Sequence, residues 1–393
     1  MVDDVKVAYD RGGKGSDGKL WANTLLSAEW FSVLSAVKAV AESTGVRVYL
    51  VGGIVRQAVF SVIRPELVAT RKNLLDIDFA VEGDFETFIS DVRTGLSAKR
   101  VSRSPFLTAV CDLSGGLSVD FAQCRTETYR HSGALPEVKA ASLELDAVRR
   151  DFSVNAMYLS LDELFRAPPN DLEDLKVRLI DYVGGLDALK NGIVEILHDR
   201  SIFDDPTRIF RAVRYRAVLS AFSLDGKFGS AFLNSLQNNY FSSESSPLAA
   251  VSHFRKWVEL RKCFESSYPV ESIGDLIDLN IFDYWPPVPP DVRSGFIGKL
   301  TKLLTTDSSL LSTYGFLMYV AIWWWTNIDA ISNNEHDRSA EDGIHRDSDE
   351  DFLRARNELR LNKGVMRAIE KRQSEDLESI DWLKKVAEIY YGS

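Results

Sequence analysis

The sequence predicts an α+β chain with a head of alternating strands and helices, followed by an all-α neck and body. Three observations lead there. Up to about residue 166, short β-rich apolar runs alternate with helical stretches. From about residue 172 onward the pattern is mostly helical. A chain of 393 residues with 45% hydrophobic content can also bury more than one core, enough for two or three domains. The expected division is a flexible leader over 1–24, a head over 25–166, a neck over 167–225 and a helical body over 226–393.

Each element has a local reason. The leader is polar and glycine-rich; its Gly12-Gly13-Lys14-Gly15-Ser16 lacks both a preceding strand and the Walker spacing. A helix is expected over about 28–44. Arg47-Val48-Tyr49-Leu50-Val51 is a β-rich run that stops at Gly52-Gly53. A second strand is expected in Leu74-Leu75-Asp76-Ile77-Asp78-Phe79-Ala80-Val81. Gly184-Gly185 marks a turn, and a long helix begins near Asp205, with Pro206 in its first turn and Asp204 or Asp205 as cap. Tyr284-Trp285-Pro286-Pro287-Val288-Pro289-Pro290 reads as a linker or rigid turn. Residues 308–328 carry no charge, but serines, Thr313 and Gly315 leave an unbroken apolar block of only about ten residues, which fits a buried helix rather than a bilayer span. Residues 333–351 are acidic and apolar-poor, as in a mobile loop.

The chemistry concentrates in two places. Asp76 and Asp78 are two apart on a strand and so share a face, and two such carboxylates call for a cation between them; hard oxygen ligands suit Mg²⁺ carrying a nucleotide's phosphates. Twenty-odd residues upstream, glycines directly after a strand let backbone amides approach phosphate oxygens, and Arg56 adds a charge-assisted contact. Taken singly, a glycine pair is often only a turn and an Asp-x-Asp only a solvated face; their order and spacing give the pair meaning. Farther along, Asp205 and Arg208 are three apart, with Arg211 and Arg214 continuing the row along one helical face. A capped helix with surface ion pairs is the plain alternative there.

These segments together resemble the class II tRNA nucleotidyltransferases and bacterial poly(A) polymerases of the DNA polymerase β superfamily. Gly52-Gly53-Ile54-Val55-Arg56 is similar to the family's GGxVRD, Asp76-Ile77-Asp78 to its DxD, and the run from Val119 through Arg125-Thr126-Glu127 to its strand ending in RxE. Arg149-Arg150-Asp151-Phe152-Ser153-Val154-Asn155-Ala156 resembles RRDFTxNA, and Asp204-Asp205-Pro206-Thr207-Arg208-Ile209-Phe210-Arg211-Ala212-Val213-Arg214-Tyr215 resembles EDPxRxxRAxRF. Gln57 departs from the family's Asp, Ser153 from its Thr and Asp204 from its Glu. The resemblance implies a polymerase β-like head with a mixed sheet, and an enzyme that adds or repairs the 3′ CCA end of tRNA from CTP and ATP. It implies Mg²⁺ held by Asp76 and Asp78, with Asp120 a candidate third carboxylate. Gly53 and Arg56 would hold phosphates, and Arg150 with Asp151 the nucleotide's sugar or phosphate region. Asp205 and Arg208 would read the base, helped by Arg211 and Arg214. Relatives that add only CC, only A or a poly(A) tail share all five motifs, and a non-catalytic RNA-binding relative is the rival from outside the enzymes.

Composition bounds the rest. The net charge of −10 argues against extensive coating of a phosphate backbone but not against local contacts, since binding depends on where the cations lie. Arg208, Arg211, Arg214 and Arg216 form one basic cluster, and residues 354–372 a second, which reads as a solvated helix with interleaved acids rather than as a tRNA contact. Cys111, Cys124 and Cys263 make neither a disulfide framework nor a zinc spacing, and the N-terminus lacks a secretory pattern, so a cytoplasmic protein with no membrane partner is expected.

Overall fold

In a computed structural model, the protein is described over residues 20–65, 76–220, 237, 247–266, 268–283, 294–298 and 300–301. The first 19 residues of the leader expected over 1–24, the proline-rich segment, the apolar block at 316–325, the acidic stretch at 333–351 and the basic run at 354–372 lie outside these residues, whereas the end of that leader is not flexible but a helix, Trp21–Leu25, with Trp21 buried. The described chain falls into two compact units. The first holds residues up to Thr126, Val138–Arg150 and Val154–Leu186; the second holds Glu127–Glu137, Asp151–Ser153 and residues from Asp187 on.

A seven-stranded mixed sheet is the frame of the first unit. Its strands are β1 (Arg47–Val51), β2 (Asp76–Glu82), β3 (Arg100–Ser104), β4 (Thr108–Asp112), β5 (Ser118–Gln123), β8 (Met157–Ser160) and β9 (Leu179–Asp181), in the order β3-β4-β5-β2-β1-β8-β9. Only β2 and β5 run parallel among the pairs; β1 is antiparallel to both β2 and β8. A separate two-stranded sheet joins β6 (Arg125–Thr128) to β7 (Glu137–Ala140). Because β9 pairs with β8, the sheet continues past residue 166, where the sequence pattern alone turns helical.

The period-2 pattern decides which face of the sheet is covered. Ile77, Phe79, Val119 and Phe121 are buried. Phe79 and Phe121 stack at 5.1 Å, and Phe121 meets Phe88 of α4 (Phe85–Gly95) edge-on at 5.6 Å. Asp84 caps α4 by accepting from the Thr87 amide at 3.2 Å. The helix expected over 28–44 is α2 (Ala28–Thr44), following the short α1 (Trp21–Leu25); it ends on Gly45 with φ of 68°, a left-handed stop that glycine allows. Next come α3 (Gly53–Ile63), then α5 (Leu143–Val148), α6 (Leu161–Leu164) and α7 (Leu172–Arg178). In the second unit, beyond α8 (Gly185–Asn191), which begins in the first, lie α9 (Ser201–Asp204), α10 (Arg208–Ser220), α11 (His253–Phe264) and α12 (Pro269–Asp278). The long helix thus starts at Arg208, three residues later than the sequence led one to expect. The Asp205 carboxylate accepts from the Thr207 amide at 3.1 Å and hydroxyl at 2.7 Å, which closes residues 205–207 into a turn rather than a first helical turn. Among the described residues no helix is long and apolar enough to cross a membrane.

Candidate active site

In the first unit the site grows from the end of β1. Val51 pairs with Asp78 on one side and with Tyr158 on the other. The chain then turns at Gly52, where φ is 73° and ψ −130°, a conformation that a side chain strains. A Cβ there would stand 3.1 Å from Asp78 Oδ2. Glycine is needed twice over, for the backbone and for the carboxylate that it lets approach. Asp78 is exposed, and its register partner on parallel β5 is half-buried Asp120; partners in register on adjacent strands share a face. Asp76 opens β2, its backbone paired with Ser118, and its side chain lies outside the described part.

Directly after the turn α3 begins at Gly53, so the free amides and positive end of that helix lie at the turn. Arg56 Nη1 donates to Asn155 Oδ1, tying this helix to the Arg149–Ala156 segment. That contact braces the turn in a chain where Gln57 replaces the family's Asp. Gln57 itself is buried, and its Nε2 has no hydrogen-bond partner among the described residues.

Arg150 sits on Asp146, a residue that the sequence did not single out. Asp146 is 1% exposed and collects donors from every side. Arg149 gives Nε at 2.9 Å and Nη2 at 2.6 Å to Oδ1; Arg150 gives Nε at 3.0 Å and Nη2 at 2.8 Å to Oδ2. The Tyr158 hydroxyl donates to Oδ2 at 2.8 Å and the Arg125 amide to Oδ1 at 3.2 Å. Burial pushes the Asp146 carboxyl up, but Arg150 and Arg149 outweigh it and hold the value at about 2. Burial also pushes the thiols up, to about 11 at Cys111 and about 12 at Cys124 and Cys263, so none is a nucleophile at neutral pH.

The second unit holds the other predicted residues. Asp151 is buried; its Oδ2 accepts from Arg211 Nε at 2.8 Å and from Arg211 Nη2. Asp205 and Arg208 do not share a helical face, because Asp205 lies in the preceding turn. Asp205 Oδ1 accepts from Arg255 Nη2 at 2.8 Å, while Arg208, 5% exposed, donates through Nη1 to the Ser201 hydroxyl at 2.5 Å. Arg214 Nη2 lies 3.6 Å from Glu259 Oε2. The Tyr129 hydroxyl donates to Glu127 Oε2 at 2.6 Å; burial and then Glu127 keep it protonated, and Arg208 and Asp205 are close enough to act on it. Glu127 stands in the RxE segment that the sequence marked. Arg255 had no such signal, since it meets Asp205 only through folding.

Among the described residues no group of three or more His, Cys, Asp or Glu side chains is placed to hold a metal. The donor chemistry nevertheless fits a hard divalent cation, with Asp78 and Asp120 offering carboxylate oxygens on one sheet face beside a turn of backbone amides.

The mixed sheet, with a glycine turn set against a strand carboxylate, agrees with the α+β head that the sequence predicts. Residues 48–195 match the family described as the poly(A) polymerase head domain. An A-adding tRNA nucleotidyltransferase of Aquifex aeolicus is 37% identical over 174 residues, covering 44% of this chain and 19% of that protein. One from Halalkalibacterium halodurans is 29% identical over 263 residues, covering 66% of this chain and 55% of that protein. The chain therefore spans about a fifth and about half of these two relatives' lengths. A solved CCA-adding enzyme in an apo form superposes with a TM-score of 0.55 at 22% identity, covering 95% of this chain and 82% of that one, which establishes likeness of fold.

Proposed function

We propose that the protein is a template-independent RNA nucleotidyltransferase that builds or repairs the 3′ CCA end of tRNA from CTP and ATP. The observation that carries this is the Gly52 turn, which joins a strand end to a helix N-terminus and lets the Asp78 carboxylate approach, a Cβ at Gly52 standing only 3.1 Å from its Oδ2. Such a junction serves a triphosphate, whose anionic oxygens need amides and whose reacting phosphorus needs a neutralised carboxylate site.

In this reading the 3′-hydroxyl oxygen of the tRNA forms a bond to the α-phosphorus of the nucleotide, the bond to the β-phosphate bridge breaks, and pyrophosphate leaves. Asp76 and Asp78, with Asp120 beside Asp78, would hold Mg²⁺, which when bound supplies Lewis-acid charge to the triphosphate and lowers the pKa of the attacking hydroxyl. Gly53 and Arg56 hold phosphate, Arg56 being oriented by Asn155. Arg150 and Asp151 flank the sugar and phosphate region, and Asp205 and Arg208 present an acceptor and donors to the base. Arg211, fixed by Asp151, and Arg214, near Glu259, keep that surface rigid. The head over 25–166, a base-reading neck over 167–225 and a body over 226–393 that grips tRNA complete the proposal, in a soluble cytoplasmic setting.

A second reading, addition of the terminal A alone, has a specific support: both relatives described above carry that name. Purified protein incubated with tRNA transcripts ending before, within and after CCA, with each NTP singly, separates the cases. CTP incorporation on a transcript lacking CCA supports the full activity, and ATP incorporation only after CC supports the second. No incorporation on any transcript would sink both and leave an RNA-binding relative.

A further inference from the structure

We infer that Arg255 is a specificity-determining positioning residue, which fixes the Asp205 carboxylate so that one of its oxygens meets the amino group on the base of the incoming nucleotide. This deepens the proposed function and rests on it. The grounds lie within the second unit. Asp205 Oδ1 accepts from the Thr207 amide at 3.1 Å, the Thr207 hydroxyl at 2.7 Å and Arg255 Nη2 at 2.8 Å, while among the described residues no donor meets Oδ2. Three donors on one oxygen stop the carboxylate from turning about its last bond, so the other oxygen keeps one direction. Arg255 also neutralises the charge. A lone carboxylate favours water or a cation, whereas one paired with a guanidinium can take a neutral N–H donor.

Arg255 can hold Asp205 because it is itself held. It lies in the first turn of α11, where the Ser252 hydroxyl accepts from its amide at 3.5 Å, and its Nη1 donates to the Gly133 carbonyl at 3.0 Å. Gly133, between β6 and β7, has φ of 69°, and a Cβ there would stand 2.8 Å from the Ala250 carbonyl oxygen, so this backbone packs closely against residue 250. The two ends of one planar fork thus join a loop carbonyl to the Asp205 carboxylate, a geometry that an ammonium group cannot copy. The side chains of Arg255 and Asp205 are 26% and 22% exposed, so the pair is neither sealed in the core nor fully solvated. An acceptor fixed in this way matches the exocyclic amino groups of cytosine and adenine and opposes the carbonyl oxygens of uracil and guanine. Arg255 touches no substrate in this scheme; it aims the group that does.

The test uses the full chain with Arg255→Ala and Arg255→Lys, and Arg261→Gln as the control, since Arg261 pairs with Glu265 at the far end of the same helix at 2.6 Å. Affinities for CTP, UTP, ATP and GTP are measured by calorimetry without tRNA, so that no transfer occurs, and kcat/KM for each is measured with tRNA. Expected in Arg255→Ala is a fall of about tenfold or more in the preference for CTP over UTP and for ATP over GTP, in binding and in kcat/KM alike, the size of loss typical of a charge-assisted hydrogen bond. Arg255→Lys keeps the charge but not the fork and should lose about threefold. Arg261→Gln should keep the wild-type preference. An unchanged preference in folded Arg255→Ala overturns the assignment, as does a loss shared equally by all four nucleotides or a loss of preference just as large in Arg261→Gln. If Arg255→Ala does not fold, Arg255→Lys decides alone. Failure of the functional reading looks different: wild-type protein then adds no nucleotide to any transcript, while the binding preference and its loss in the variants still report on Arg255. A wild-type protein that binds all four nucleotides equally overturns the assignment as well.

Discussion

Gly52 illustrates how a single residue can be required by two constraints at once. Its φ of 73° excludes a side chain on backbone grounds, and a Cβ would sit 3.1 Å from Asp78 Oδ2 on packing grounds. Gly52→Ala should therefore cost about 1–3 kcal/mol in urea unfolding and reduce nucleotide addition far more than a surface change of equal cost. Asp78→Ala should abolish addition while leaving tRNA binding nearly intact, since in the proposed function the carboxylate serves the reaction and not the RNA; measurable turnover under normal Mg²⁺ would count against the site. Asp146 gives a pH signature. Its native value of about 2 lies below the unfolded carboxylate value of about 3.9. Its contribution, about 2 kcal/mol, is fully present above about pH 4 and is lost as pH falls through about 2. The difference in unfolding free energy between wild type and Asp146→Asn should stay constant from pH 7 down to about 4 and shrink as pH falls from 4 towards 2, and a gap constant over that lower range would contradict this.

At the scale of elements, α10 shows how cations predicted for an open helical face become framework. Arg211 is bound by Asp151, Arg216 pairs with Asp275 of α12, and Arg208 turns inward to Ser201. The plain expectation of surface ion pairs therefore gives way to half-buried ones that hold the helix rigid. Arg216→Ala leaves Asp275 buried without its guanidinium partner and should destabilise the fold by about 3 kcal/mol, read from the urea midpoint. Arg208→Ala should lose discrimination as well as rate, admitting UTP or GTP, because a fixed hydrogen-bond pattern rejects wrong partners better than shape does. Unchanged preference for CTP and ATP in that variant would make α10 a purely structural element. A chain that reads a base through Arg208 needs this rigidity, since a donor that wanders selects nothing.

Across the whole molecule, the net charge of −10 would confine the proposed tRNA contact to local basic patches. Neutralising Arg354, Arg356, Arg360 and Lys363 to glutamine in the full chain should weaken tRNA binding and flatten its dependence on salt. Each lost phosphate contact lowers the slope by about 0.7 to 0.9. An unchanged slope would assign that run to a solvated surface, and nucleotide addition on a short primer should survive in either case.

What the sequence determined by itself is what local chemistry dictates. A β-rich apolar run marked β1, a glycine pair after it marked the turn, and carboxylates two apart marked β2 as the candidate site strand, since each signal depends on residues a few positions apart. Five ordered motifs carried the family. The tertiary structure decided what depends on distant partners. The register that sets Asp120 beside Asp78, the brace from Arg56 to Asn155 across 99 positions and the grip of Arg255 on Asp205 across 50 leave no trace in any short window. The same holds for the start of α10 at Arg208: Pro206 and two aspartates favour an earlier helix locally, but the Asp205 carboxylate, drawn to Thr207 and Arg255, closes a turn instead. Asp146 lay unremarked beside the Arg149-Arg150 pair for a related reason. A carboxylate near arginines is ordinarily a solvated ion pair, and only burial among Tyr158, the Arg125 amide and two guanidinium groups turns it into the organiser of a charged site.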